Sequence, residues 1–282
     1  MEDQNKQIRI LLTGAGYLGA NIMIKEVKEL DKRFYFIGMD INPNSAAQFY
    51  CDKFYLQKDF DIVLEKEKPD LILPGTSEFI PINTRIGKTM ASNPDTISTC
   101  LSKVKTYEKL KNIIPLPQYI NSLSGYYYKI DIGKGGRGIN YLSGDSRFIM
   151  ETLEGEQIDA DVLSWKGKLL IAMLKRRERT YGGNMIEGEI VNRPEIISQI
   201  QKALKVLPLS YLSVWQFIGE KLIEINPRLA GTMFYPQGWN MPYLAIKLAL
   251  GEMDLKEIKQ YQNKVSSLIG KRIARCIEQY QY

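Results

Sequence analysis

Val214–Arg228 reads V-W-Q-F-I-G-E-K-L-I-E-I-N-P-R. Two β-rich runs, Val214–Ile218 and Leu222–Asn226, flank a polar Gly219-Glu220-Lys221 connection, the pattern of a hairpin with a glycine-containing loop. A turn centred on Glu220 sets Gln216 opposite Glu224. Glu224 and Asn226 are two apart, so their side chains leave the same face of the strand. Gln216, Glu224 and Asn226 would then offer a cluster of oxygen ligands between large apolar neighbours, closed off by Pro227-Arg228. A hard cation such as Mg²⁺ suits that donor set, above all where substrate phosphates complete an octahedron. Alternation by itself favours a plainer hairpin, polar to solvent and apolar to the core. The decision therefore rests on what the rest of the chain supplies.

The 282-residue chain is 44% hydrophobic and 25% charged, ordinary for a globular protein with room for more than one packed unit. No apolar run is long enough to span a bilayer, and Met1–Gln7 is a charged start unlike a signal peptide. A cytoplasmic protein without a membrane partner is expected. Net charge is +6, but lysines are interspersed with acids, as in Glu65-Lys66-Glu67-Lys68. Solvated surfaces and phosphates in an active site account for the basic groups, and nucleic acid is not the expected partner. Cys51, Cys100 and Cys276 show neither metal spacing nor a disulfide framework. The chain has no histidine at all, which excludes His-dependent triads, His–zinc sites and imidazole general bases. Chemistry here must use carboxylates, amides, lysines, arginines, tyrosines or an oxygen-ligated metal.

Ile8–Thr13 is an apolar run that stops at Gly14-Ala15-Gly16-Tyr17-Leu18-Gly19; a helical pattern follows to Leu30, then a strand Phe34–Met39 ending at Asp40. This βαβ opening with a G-x-G-x-x-G turn fits a dinucleotide site with Asp40 on the ribose. It fits equally a Rossmann-like unit whose glycines serve only a tight turn. Further α/β elements lead to a strand at Asp70–Leu73, which opens into Pro74-Gly75-Thr76-Ser77-Glu78. Ligands of open α/β sheets sit at strand carboxyl ends, so Thr76, Ser77 and Glu78 are candidate substrate contacts; Thr76 or Ser77 could as well cap a helix.

Asn93-Pro94-Asp95 has the form of an N-cap with proline in the first turn. Helical pieces follow at Asp95–Leu101 and Lys103–Lys111, with Ser102 as a cap between them. Tyr126–Ile130 is β-prone and carries Lys129 into a loop with Gly133, Gly135, Gly136 and Gly138. A lysine leaving a strand into glycines makes a phosphate device, since backbone N–H groups can approach the oxygens. Arg147–Leu153 is a strand leading to Glu154-Gly155-Glu156-Gln157. Asp161–Trp165 and Leu169–Leu174 form a hairpin about Lys166-Gly167-Lys168. Beyond it lies the basic run Lys175–Tyr181, and Gly182-Gly183 suits a mobile flap. Pro194–Leu207 is amphipathic. Tyr243–Leu250 is an apolar helix stopped by Gly251, and Leu255–Tyr280 reads as largely helical. Asn240, in a loop after the hairpin, is a further substrate candidate.

The ordered string E-I-N-P-R resembles the metal-binding signature of ATP-grasp ligases, in particular their carbamoyl-phosphate-synthase-like branch. The likeness extends along nearly the whole chain, with Lys103, the Lys129 loop and the Glu151–Gly155 hinge in the family's order. What it implies is an α/β and α+β architecture: a Rossmann-like preceding domain over residues 1–92, then an ATP-grasp fold. Residues 93–148 would form the small lid subdomain with its linking helices, and residues 149–282 the large subdomain with the metal site. Short connections at 117–125 and 140–148 point to a reduced lid.

By the same resemblance, Gln216, Glu224 and Asn226 hold Mg²⁺ (or Mn²⁺). Lys103, Lys129, Gly133, Gly135 and Gly136 meet the ATP phosphates. Glu151 and the backbone near Leu153 face adenine, Glu156 or Gln157 grips the ribose, Arg228 meets the transferring phosphoryl group, and Arg177 meets phosphate or a substrate carboxylate. The chain departs from the family pattern at Ser102, Ile130, Met150 and Gln157, where an acid, a proline, a glutamine and a glutamate are usual. The implied activity is ligation of a small-molecule carboxylate to an amine or related nucleophile through an acylphosphate, releasing ADP and phosphate. The competing readings are an NAD(P)-dependent oxidoreductase using Gly14–Gly19 and an ATP-grasp protein that binds nucleotide without ligating. A homo-oligomer is compatible with all three.

Overall fold

The computed structural model of the chain describes residues 6–17, 19–56, 59–76, 87–118, 126–128, 149–181, 183–235 and 239–275. In chain order the elements are β1 (Ile8–Thr13), α1 (Ala20–Leu30), β2 (Phe34–Asp40), β3 (Lys53–Leu56), α2 (Phe60–Glu67), β4 (Leu71–Pro74) and β5 (Lys88–Thr89). Then come α3 (Pro94–Leu101), α4 (Lys103–Leu110), β6 (Tyr126–Tyr128), β7 (Ile149–Glu151), β8 (Gln157–Trp165), β9 (Lys168–Tyr181) and β10 (Asn184–Val191). The remainder is α5 (Pro194–Leu204), β11 (Tyr211–Ile218), β12 (Lys221–Asn226), β13 (Phe234–Tyr235), β14 (Trp239–Asn240), α6 (Met241–Leu250), α7 (Leu255–Ser266) and β15 (Arg272–Ala274).

Two compact units result, one of Met1–Ala91, Arg228–Ile258 and Glu278–Tyr282, the other of Ser92–Pro227 and Lys259–Ile277. The first unit is built on a parallel sheet in the order β3-β2-β1-β4-β5. β1 is central: Ile10 pairs with Phe36 on one side and Leu71 on the other. Its run of apolar residues reflects burial on both faces, as parallel strands require. α1 buries Met23, Ile24 and Val27. The returning segment adds α6, tied to the α1–β2 connection by ion pairs of Arg33 with Asp31 and Glu252 and of Lys247 with both acids.

The second unit holds an antiparallel sheet in the order β12-β11-β8-β9-β10-β15. Its apolar face carries Ile158, Ala160, Leu174, Trp215, Phe217 and Ile225, packed with Ile196, Ile200 and Leu204 of α5. Period-two alternation sends the residues between them to the opposite face. α3 and α4 start where the sequence places them. Asn93 Oδ1 accepts from Thr96 N at 2.8 Å, and Ser102 Oγ accepts from Lys105 N at 3.2 Å.

Three expectations need correction. The hairpin strand expected over Leu169–Leu174 continues through the basic run to Tyr181 as β9, because that run has a partner strand in β10. The C-terminal helix ends at Ser266 instead of running to Tyr280. Gly270 takes φ +83° and the chain then pairs Ile273 with Gly188 on the edge of β10. The hairpin turn is the pair Gly219-Glu220, not a loop centred on Glu220: Ile218 faces Lys221 and Phe217 faces Leu222. A one-residue bulge at Ile223 brings Gln216 back opposite Glu224.

Candidate active site

Strand pairing writes one row of side chains straight across the second unit's sheet. Glu224 of β12 faces Gln216 of β11, which faces Asp159 of β8, which faces Lys175 of β9. The neighbouring row runs Asn226, Val214, Asp161 and Met173. Since Trp215, Phe217, Ile158 and Ile225 occupy the apolar face, these polar groups share the other one.

Glu224 is the centre of the cluster. Asn226 Nδ2 donates to its Oε1 at 3.1 Å, and Lys103 Nζ lies 3.6 Å from its Oε2. With the Gln216 amide oriented to satisfy both neighbours, its nitrogen donates to Glu224 Oε1 at 3.1 Å and its oxygen accepts from Arg177 Nη2 at 2.7 Å. Arg177 Nε in turn donates to Asp159 Oδ2 at 2.8 Å, and Nη1 to the Gly183 carbonyl at 3.1 Å. Lys103 is only 7% exposed because it opens α4 facing the sheet, and Tyr107 one turn on donates its hydroxyl to the Ile223 carbonyl at 2.8 Å. That carbonyl belongs to the bulge residue.

No local sequence pattern marks Asp159, Asp161 and Lys175 as site residues. Lys175 and Asp161 are both fully buried and in direct hydrogen-bond contact. Burial pulls the Lys175 ammonium well below its ordinary range, with the nearby Asp159 charge opposing that shift. Asp159 is buried, and its Oδ1 has no hydrogen-bond partner. The signal is I-D-A-D-V, acids at period two inside an apolar strand, with Lys175 and Arg177 at the same period in the strand beside it. Only the pairing of β8 with β9 converts it into ion pairs.

The Glu151–Gln157 hinge lies against the hairpin turn. Gly155 has φ +130°, and a Cβ there would stand 3.2 Å from the Gly219 nitrogen. Gly219 N donates to the Glu156 carbonyl at 2.9 Å. Glu151 is engaged by Lys221 Nζ and by Gln118 N at 3.1 Å, and the lysine holds its carboxyl below the usual range. Leu153 packs at the edge of the Tyr107–Met150 cluster. Glu156 is held by Arg193 and, at 3.2 Å, by Arg176, with its pKa lowered chiefly by the Arg193 hydrogen bond. Gln157 is exposed at the start of β8, opposite Ile218.

In the first unit the glycine turn has a local explanation. A Cβ on Gly14 would stand 2.2 Å from Thr76 Cγ2, and one on Gly16 would stand 2.8 Å from the Asp40 carboxylate. Asp40 accepts from Gly16 N at 2.5 Å and from Asn42 N at 2.8 Å, so both its oxygens serve the backbone. Thr76 packs on the turn, and its buried Oγ1 has no hydrogen-bond partner. Asn240, a substrate candidate, is a fully buried helix cap whose Oδ1 accepts from Tyr243 N at 2.8 Å. Arg228 belongs to the first unit, where its Nη1 donates to the Leu229 carbonyl at 2.9 Å. Lys129, Gly133, Gly135, Gly136, Ser77 and Glu78 lie outside the described residues.

Residues 145–269 match the model of a family described as ATP-grasp in the biosynthetic pathway with Ter operon. The chain has the ATP-grasp fold. An N5-carboxyaminoimidazole synthetase from Staphylococcus aureus, solved with ADP, superposes with a TM-score of 0.63 at 14% identity, over 83% of this chain and 75% of its own. Biotin carboxylase from Campylobacter jejuni, solved with a β,γ-ATP complex, gives 0.66 at 14% identity, over 86% and 71%. An Archaeoglobus fulgidus protein of the ATP-grasp superfamily gives 0.61 at 15% identity, over 95% and 91%. No curated protein sequence matches the chain. Among the described residues no helix is long and apolar enough to cross a membrane, and no three His, Cys, Asp or Glu residues cluster as metal ligands. The Glu224 cluster differs from such a group in having one carboxylate and two amides.

Proposed function

We propose that this protein is an ATP-dependent ligase of the ATP-grasp type. It would join a small-molecule carboxylate to an amine or related nucleophile, through an acylphosphate, with release of ADP and phosphate. The observation that carries this reading is the convergence of Lys103, Gln216 and Asn226 on Glu224. A carboxylate, two amides and a buried ammonium meet on one face of an ATP-grasp sheet. Two of the structures sharing the fold were solved with ADP or an ATP-type ligand, which supports the nucleotide.

The donor chemistry fits Mg²⁺ or Mn²⁺, since Gln216, Glu224 and Asn226 offer only oxygen ligands that hard cations prefer. Both amides now turn a nitrogen toward Glu224 Oε1, so holding a cation there requires them to present oxygen instead. When bound, the metal would neutralise phosphate charge. The protein's own part is positioning. Lys103 is held at the head of α4 by the Ser102 cap, and Arg177 is fixed by Asp159 and the Gly183 carbonyl. Once nucleotide is bound, these cations would stabilise charge on transferring phosphate without reorganising during the chemical step. Lys129, its glycines and Arg228 complete the set on the sequence motif. The carbamoyl-phosphate-synthase-like branch and a cytoplasmic location likewise rest on sequence.

An NAD(P)-dependent reaction is disfavoured by Asp40, whose oxygens already bond Gly16 N and Asn42 N. Separate thermal-shift titrations with ATP plus Mg²⁺ and with NADPH test the choice. Stabilisation by the first alone supports the ligase, and stabilisation by NADPH alone overturns it.

A further inference from the structure

Each carboxylate of the sheet-face cluster already has its own cation: Glu224 has Lys103, Asp159 has Arg177, and Asp161 has Lys175. The Lys175–Asp161 pair is neutral in sum whichever member holds the proton. A divalent cation arriving alone would therefore add two positive charges where every carboxylate already faces a cation and Arg275 acts on Lys175 as a further positive charge, in a place that is 7% exposed at Lys103 and 22% at Glu224. Desolvated charge without a counter-ion is strongly disfavoured. The Gln216 carbonyl is also occupied, by Arg177 at 2.7 Å.

We propose that Lys103 serves as the internal counter-ion of Glu224, withholding that carboxylate from metal until an anionic nucleotide draws the ammonium away. Metal then binds this site only together with nucleotide phosphates. The proposal rests on the ligase reading above, and it adds an order of assembly and a residue that enforces it. A nucleotide brings several negative charges. It offers Lys103 a stronger partner than one carboxylate, and its phosphates balance the metal once Glu224 is released. Coupling of this kind is reciprocal: what Lys103 takes from metal affinity in the empty protein it returns when nucleotide is present.

The test is Mn²⁺ binding followed by electron paramagnetic resonance, with a non-hydrolysable ATP analogue present or absent. The wild-type protein should take up Mn²⁺ at least tenfold more tightly with the analogue than without it. Lys103→Met, nearly isosteric, should bind Mn²⁺ alone at least tenfold more tightly than wild type does. Lys103→Gln should do the same if the methionine variant is unstable, and Lys103→Arg should restore the wild-type pattern. Adding Glu224→Gln to Lys103→Met should abolish the gained site, which locates it. Wild type and Lys103→Met with the same affinity for Mn²⁺ alone would overturn the proposal while leaving the ligase reading intact. Failure of wild type to bind the analogue with Mn²⁺ would overturn both.

Discussion

Asp159 anchors the candidate site from within the sheet. It fixes Arg177 through a 2.8 Å bond to Nε, and Arg177 fixes the Gln216 carbonyl. Asp159→Asn keeps the size but drops the charge, so the guanidinium loses its anchor. We expect at least a tenfold fall in substrate-dependent ADP release per folded molecule, together with a lower melting temperature because the largely buried Arg177 loses its partner; unaltered turnover would show that Arg177 needs no anchor. The Lys175–Asp161 pair makes a prediction about stability instead. Lys175→Met alone strands a buried carboxylate and should cost about 3 kcal/mol in urea unfolding. The double variant Lys175→Met with Asp161→Leu should recover most of it. Equal losses in the single and double variants would contradict the pairing. These residues also mark where sequence reading stops. Glu224, Asn226 and Gln216 are legible because they lie within one short hairpin. Asp159 and Lys175 become part of the same row only through long-range strand pairing that no local pattern encodes.

At the scale of elements, legibility followed locality as well. β1, α1 and β2 and the capped starts of α3 and α4 can be read from apolar runs and single cap residues. β15 could not, because Arg272–Ala274 is a strand only by virtue of the β10 edge beside it. The hairpin register was reached through a bulge at Ile223 that alternation does not announce. Gly155 belongs to this scale too: with φ +130° and the Gly219 backbone 3.2 Å from a virtual Cβ, only glycine fits between hinge and turn. Gly155→Ala should destabilise by about 1–3 kcal/mol, as forced left-handed backbone does. Because Glu156 bonds Gly219 through its carbonyl, the same change should weaken ATP binding measured by calorimetry. A fully stable Gly155→Ala protein would mean that the turn can yield.

For the molecule as a whole, stability and activity should respond to different conditions. In the first unit, hydrogen bonds from Arg33 hold the Asp31 carboxyl at about 2, against an ordinary value of 3.8. A depressed folded-state pKa gives stability that is complete above the unfolded value and is lost as pH falls through the folded one. The contribution is about 2 kcal/mol and should disappear between roughly pH 4 and pH 2. Asp31→Asn should flatten the acid limb of the pH–stability curve; an unchanged slope would place the acid sensitivity elsewhere. The proposed activity rests on the other unit, where Glu224 gathers Lys103, Gln216 and Asn226. The most direct measurement of that dependence is ADP release with ATP and Mg²⁺ across a panel of amino acids and small carboxylates, singly and in pairs, for wild type and Glu224→Ala. Wild type should release ADP only when an acceptor acid is present, and a folded Glu224→Ala protein should release none. Full ADP release by Glu224→Ala would contradict the proposed site.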